Sequence, residues 1–384
     1  MIQHQKHLFS IPEDVTYLNI ASLSPSFKAV EQAGIDAVLQ KSKPYTIPVS
    51  DFFDPVSELK ALFAKLTDCK EPERIVTIPS VSYGMASVAN NIKLNPNDEI
   101  LVIEEQFPSN IYVWQRLAET YNAKIVTVKN PKSNDSNGKQ WNADILAAIT
   151  SNTAVVALGN IHWSNGTIFD LKAIRSKTNI HNALLIVDGS QTIGALPFSV
   201  DDVQPDALIC AGYKWLFGPY GCAYAYFGSY FDNGNPIEDN WSNRRHSENF
   251  AGLTNYESEY KPFANRYAAG QHANFISIKM QIAALTQLLE WTPKAIQDYC
   301  RSISHEATKE LSNLGCIIED EAFRTHHLFG VKLPIDINIT QLKSTLQAQQ
   351  IHVSFRGEYI RISCHLYNTK TDFDRLVRCI TSVL

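Results

Sequence analysis

The feature that most constrains this chain is a succession of short apolar runs between Arg74 and Phe227: RIVTI, EILVI, KIVTV, AVVAL, ALLIVD, ALICA and CAYAYF. They are rich in Val and Ile and do not alternate strictly with polar residues. Strands buried on both faces read this way, because neither face has to meet water. Helical stretches separate most of the runs, one from Tyr83 and one from Ser109. That alternation predicts a mostly parallel sheet with helices on both faces. ALICA and CAYAYF are joined by a short segment rich in glycine and proline, which predicts one antiparallel neighbour.

The flanks are different. Residues 1–25 read as an irregular N-terminal arm. A helix is expected from about Ala29 to Gln40, and another that places Val56, Leu59, Leu62, Phe63 and Leu66 on one face. PKSNDSNGK (131–139) reads as an exposed loop. Gly228 to Tyr267 is polar, aromatic and long for a structureless connection, which points to function or an interface. FISIKMQIAALTQLLEW then reads as an apolar helix, and LFGVKL and YIRIS as strands of a smaller α+β unit. The expected organisation is an arm (1–25), a large cofactor-binding domain (26–265) and a small C-terminal domain (266–384), which 384 residues can supply.

Composition removes several function classes. The net charge of -5 is spread without blocks of one sign, so neither nucleic acid nor a membrane surface is an expected partner. No apolar run approaches the ~18 residues of a membrane span. The opening MIQHQKHLFSIPED lacks the apolar core of a secretion signal. Seven cysteines without a CxxC pair suit reduced thiols in a cytoplasmic protein, and no metal site is expected. No GxGxxG follows a strand, and neither a Walker-type loop nor a GxSxG elbow is present.

Ligands of open parallel sheets bind beyond the carboxyl ends of the strands. After ALLIV come Asp188, Gly189, Ser190 and Gln191; after ALICA come Gly212, Tyr213, Lys214 and Trp215. Taken alone, a carboxylate before a glycine is turn material, and a lone lysine is a solvated surface group. Lys214, however, sits among Cys210, Ala211, Trp215, Leu216 and Phe217. Apolar surroundings lower a lysine pKa and leave its amine nucleophilic. If the two strands are neighbours, both side chains converge on one crevice. Pyridoxal 5′-phosphate (PLP) chemistry needs that pair: an amine that forms an imine with the cofactor aldehyde, and a carboxylate that keeps the pyridine nitrogen protonated.

The segment LLIVDGSQTIGALPFSVDDVQPDALICAGYKWLFGPYGCAYAYF resembles the class-V aminotransferase family of fold type I PLP enzymes, which includes cysteine desulfurases, kynureninases and related lyases and epimerases. Asp188, Gln191, Tyr213, Lys214, Gly218 and Pro219 match its pattern. YLNIASLSP, SVSYG, NRYAAGQ and IRISCHLYNT also have counterparts there. The resemblance implies a PLP enzyme acting on an amino-acid substrate, an aminotransferase foremost. A kynureninase-like Cβ lyase or an epimerase is the alternative, and a non-catalytic ligand-binding α/β protein is the alternative of another class.

The resemblance also implies roles. Lys214 is the catalytic residue, Asp188 the partner of the ring nitrogen, Gln191 a neighbour of the ring oxygen or the holder of the role a histidine has in relatives, and Tyr213 a donor to the phosphate. Tyr83 and Gly84 fall where a helix start meets the phosphate, although this stretch also reads as an ordinary N-cap. Phe107 stacks on the cofactor ring or belongs to the core. His162 and Trp163 both fall near the phenolic oxygen, with nothing to choose between them. Gly270 and Gln271 of NRYAAGQ would reach the phosphate of a neighbouring subunit, which implies a homodimer with shared sites. Arg361 would bind the substrate α-carboxylate through parallel N–H groups, with Arg356 as helper. Apart from the resemblance, the aromatic segment FDNGNPIEDNWSNRRHSENF is expected to reach over the site, with Trp241 and Arg244 in contact with substrate. The stretch from Thr325 to Arg361 contains no cysteine, which counts against a desulfurase that uses a mobile thiol.

Overall fold

The computed structural model describes residues 2–131 and 137–384; most of the loop expected at 131–139 lies outside the described residues. The arm contributes a short strand, β1 (Thr16–Tyr17). Seven strands then form the main sheet: β2 (Ile75–Ile78), β3 (Glu99–Ile103), β4 (Lys124–Val128), β5 (Thr153–Gly159), β6 (Leu184–Asp188), β7 (Ala207–Ala211) and β8 (Ala223–Phe227). Their order is β2-β8-β7-β6-β5-β3-β4, and β8 alone runs against the others. All seven apolar runs are therefore strands of one mostly parallel sheet, with the expected antiparallel pair at β7 and β8.

The burial pattern explains why those runs do not alternate. Leu101 and Ile103, Val156 and Leu158, and Leu185 and Val187 point into one core, while Ile100 and Val102, Val155 and Ala157, and Ile186 point into another. Successive residues face opposite sides of a strand, and in β3, β5 and β6 both sides are covered, so apolar residues point both ways. Helices α3 (Val81–Ala89) and α4 (Tyr112–Tyr121) cover one face through Met85, Val88, Trp114 and Leu117. On the other face lie α1 (Lys28–Lys41), α2 (Asp54–Leu66), α5 (Gly138–Ala148), α6 (Leu171–His181) and the short α7 (Val200–Val203). Helix α8 (Phe275–Trp291) packs against α1 and α2.

The smaller part follows α8. Helices α9 (Pro293–Asn313), α10 (Ile339–Ala348) and α11 (Lys370–Thr381) accompany β9 (Ile317–Ile318), β10 (Leu328–Lys332), β11 (Ile351–His352), β12 (Ser354–Arg356) and β13 (Tyr359–Ser363). Four of these strands make an antiparallel sheet in the order β12-β13-β10-β9. β11 pairs in parallel with β1, so the N-terminal arm is tied to the C-terminal part. That link continues through the Ala21 amide, which donates to Ser363 Oγ at 3.0 Å. Among the described residues no helix is long and apolar enough to cross a membrane, and no cluster of His, Cys, Asp and Glu could hold a metal ion.

Candidate active site

The carboxyl ends of β2, β3, β5, β6 and β7 meet at one edge of the main sheet, and antiparallel β8 begins there. A cavity of about 930 Å³, open mouth included, sits at that edge. Ile103, Gly159, Asp188, Ala211 and Ala223, all strand ends, line it. So do Phe107, His162, Trp163, Gln191, Tyr213 and Lys214, which are seven of the expected site residues together with Asp188.

Lys214 is held by its neighbours in sequence. Trp215, Leu216 and Phe217 are fully buried. The Trp215 indole donates to Gln191 Oε1 at 2.8 Å and packs edge-on against His327. The Phe217 amide closes the turn onto the Lys214 carbonyl at 3.1 Å. The chain then returns tightly into β8. Gly218 permits this, because a Cβ there would lie 1.7 Å from the buried Gln281 amide. The side chain of Lys214 points back into the cavity, with Nζ 5.3 Å from the Phe107 ring centroid and 5.7 Å from that of Tyr213. Among the described residues the ammonium has no hydrogen-bond or ion-pair partner. Burial pulls its pKa down to about 8; Asp188 opposes the shift, and Arg361 and Arg356 add to it.

Asp188 ends the strand beside the one that leads to Lys214, paired in register with Ile209. The loop ends are bonded together: the Gly189 amide donates to the Ile209 carbonyl at 2.7 Å, and the Ala211 amide to Ser190 Oγ at 3.2 Å. The Ser190 amide donates to Asp188 Oδ1 at 2.9 Å. These bonds fix the carboxylate and the lysine in one mouth.

The remaining expected residues divide. The Gln191 amide is committed elsewhere: it donates to the Ala21 carbonyl at 3.2 Å and accepts from Trp215, and so ties the arm to the lysine turn. His162 is buried among Asn165, Ser164 and the Glu104 carbonyl, and burial lowers its pKa to about 4, so it is neutral at pH 7. The Trp163 indole donates to the Glu105 carbonyl at 2.7 Å, and its ring meets Phe107 edge-on at 5.4 Å. Phe107 is thus a wall of the cavity and is not part of the core.

Tyr83 and Gly84 do not line the cavity. The Gly84 amide is spent on the Ser80 carbonyl, and a Cβ on Gly84 would lie 2.7 Å from both Ile78 and Ile209. Gly84 is there so that α3 can approach the sheet. The first turn of that helix places Ser80, Val81 and Ser82 at the cavity, with Ser80 as N-cap accepting from the Tyr83 amide at 3.1 Å. In this structure residues 80–82, and not Tyr83 or Gly84, face the cavity: the sequence located the helix start but not which of its residues line the cavity.

Arg361, on β13, is fully buried. Nη1 donates to the Trp163 carbonyl at 3.1 Å and Nη2 to Ser22 Oγ, while Nε has no partner. Burial and the nearby Arg356 lower its pKa to about 9, with Tyr17 opposing. Gly270 and Gln271 lie on an exposed loop before α8, with the Gly270 amide bonded to Glu238. Trp241 and Arg244 are away from the cavity of this chain. Trp241 packs with Phe52, Phe53 and Phe250, and Arg244 is held by Asp239 and the Tyr260 ring, so both belong to the surface segment itself. Sequence reasoning did not single out Ser22, Ser190, Tyr220 or Cys222. The last two follow from the antiparallel β8, whose first residues share an edge with the carboxyl ends of its neighbours.

The donor set fits PLP. A lysine without a partner and a strand-end carboxylate share one mouth, a flat ring forms a wall, and the start of a helix offers amide N–H groups to an anion. A family model described as "Aminotransferase class-V" matches residues 48–376. An uncharacterized aminotransferase of Bacillus subtilis (strain 168), YcbU, is 25% identical over 311 residues, which is 81% of this chain and 79% of that one. The cysteine desulfurase CsdA of Escherichia coli superposes with a TM-score of 0.81 at 18% identity, over 98% of this chain and 97% of that one. C-DES, in a variant with glycine linked covalently to its PLP cofactor, gives 0.87 at 18% identity, over 99% and 100%.

Proposed function

Because the chain belongs to the class-V aminotransferase family and is a PLP-dependent enzyme, we propose that it transfers the amino group of an amino-acid substrate, with Lys214 as its catalytic residue. The observation that carries this reading is the buried, unpartnered Lys214 amine in the same cavity as Asp188. When bound, PLP supplies the electron-withdrawing ring that makes a bond at the substrate Cα breakable.

The chain's own residues supply the rest. The Lys214 amine, with a pKa near 8, exists partly neutral at pH 7, so it can hold the cofactor and, once released, carry a proton to or from Cα. Asp188 would pair with the ring nitrogen of the cofactor, and Phe107 would pack on its ring. The Val81 and Ser82 amides at the start of α3, with the Tyr213 hydroxyl, would hold its phosphate. Arg361 takes the α-carboxylate, since its guanidinium is buried with donors to spare. Gln191, His162 and Trp163 act as positioning residues, because their polar atoms already hold the arm and the β3 loop in place.

All seven cysteines are buried. That speaks against a desulfurase with a mobile thiol, and it suits a reducing compartment such as the cytoplasm. Gly270 and Gln271 are read as reaching into the partner's site of a homodimer; sedimentation should give a dimer. The test of the function is a panel of amino acids offered to the holoenzyme with and without oxo-acid acceptors. Acceptor-dependent conversion of donor to oxo acid, lost in Lys214→Ala, is the expected outcome. Acceptor-independent release of a Cβ fragment would replace transamination with the kynureninase-like lyase reading, and inversion of Cα alone with an epimerase.

A further inference from the structure

Two guanidinium groups flank one indole at the cavity wall. The Cζ atoms of Arg356 and Arg361 lie 5.6 and 5.8 Å from the Trp163 ring centroid. β12 and β13 pair so that Arg356 stands opposite Tyr359 and Arg361 opposite Ser354. Among the described residues neither arginine has an acidic partner. Arg361 bonds only to Trp163 and Ser22, and Arg356 gives a single N–H to the carbonyl of its neighbour Phe355 at 2.8 Å. Glu358, the acid nearest in sequence, is paired with Lys332 at 2.8 Å.

Two cations side by side repel each other, and here each also disfavours the charged form of Lys214. The Trp163 ring that both guanidinium groups approach lines the same cavity as Lys214. One α-carboxylate offsets only one of them. Arg356 is half-buried, so water solvates it in the free protein, and four of its five N–H groups remain for a ligand. The Trp163 ring, 5.6 and 5.8 Å from the two Cζ atoms, offers a flat surface against which an aliphatic chain can lie.

We infer that the substrate is an acidic amino acid whose α-carboxylate lies on Arg361 and whose side-chain carboxylate lies on Arg356. The inference deepens the amino-acid reading above and rests on it. Arg356 sets specificity: it distinguishes a carboxylate from its neutral amide, which has the same shape and offers only a weaker, uncharged acceptor. Charge-assisted bonds of this kind make a difference of about ten- to a hundredfold in affinity.

The test is a titration of the holoenzyme with aspartate, glutamate, asparagine and glutamine, each as both enantiomers, followed through cofactor absorbance. At least one acid should bind about ten- to a hundredfold more tightly than its amide. Arg356→Gln should bring that ratio close to one, and Arg356→Lys, which keeps the charge but loses the planar fork, should recover part of it. Amides that bind as well as the acids, or a ratio unchanged in Arg356→Gln, would overturn the inference. Borohydride trapping on Lys214 is read in parallel. If it persists, only the acidic-substrate assignment falls; if it is absent in the wild type, the functional reading falls with it.

Discussion

Arg74 and Arg361 are both buried arginines of one chain in opposite circumstances. Arg74 precedes β2 at the edge of the sheet away from the cavity. It binds Asp232 and Glu71, each at 2.8 Å, and stacks on the Phe263 ring. Arg361 is buried more completely, behind the cavity-lining Trp163, and meets only neutral oxygens. A buried charge costs stability unless something compensates it. At Arg74 the compensation is built into the fold; at Arg361 no carboxylate among the described residues supplies it, which is why we assign it to the substrate's α-carboxylate. The same contrast separates Lys214, without a partner, from the surface lysines that hold carboxylates, such as Lys70 with Asp201.

Substitutions can break that contrast, and the largest effect is expected at the lysine. Lys214→Ala should abolish any borohydride-reducible link and all turnover while the protein still folds, as circular dichroism would report. Arg361→Gln should weaken substrate binding by about a hundredfold, the size expected when one partner of a buried charged contact is removed. Its melting temperature should stay at or above the wild type's, because an uncompensated cation has gone. Arg74→Gln should do the reverse. Its two carboxylates are partly exposed (side-chain exposures of 32% for Asp232 and 60% for Glu71), so the cost is discounted to about 1–3 kcal/mol, read as a melting point lower by a few degrees with substrate affinity retained. Gly84→Ala should also cost about 1–3 kcal/mol, since its Cβ meets Ile78 and Ile209 within the packed core.

A pH series sharpens the contrast further. Only a neutral amine attacks an aldehyde. With the Lys214 pKa near 8, reconstitution of apoprotein with PLP should speed up by roughly tenfold from pH 7 to pH 9 and level off above it. The linkage has the same sign: the folded pKa lies below the ordinary lysine value, so the unfolded chain binds more protons between about pH 8 and 10.5, and apoprotein stability rises with pH across that window. A rate that keeps rising by about tenfold per pH unit through pH 9 without levelling off would mean that burial does not lower this pKa.

Much of this was legible in the sequence, because burial on both faces leaves a compositional trace. The runs at β3, β5, β6 and β7 carry apolar residues on both faces for that reason, and the segments just past the strands include Asp188, Phe107, His162, Trp163 and Lys214, which line the cavity. What the sequence did not carry was rotational phase and commitment. The start of α3 was visible, but whether Ser80 or Gly84 faced the cavity depends on how the helix is turned, which Ile78 and Ile209 decide. Gln191 matched a motif, yet its amide is spent on Ala21 and Trp215, two contacts made across long sequence separations. Ser22 lies far in sequence from Arg361 and reaches it only because β1 pairs with β11.

The central claim is that the free amine at the end of β7 holds the cofactor beside the carboxylate at the end of β6. The most direct measurement is borohydride reduction of the PLP-loaded protein, followed by digestion and mass spectrometry of the modified peptide. The account predicts a single pyridoxyl adduct, on Lys214. An adduct on another lysine, or no adduct in protein saturated with PLP, would contradict it.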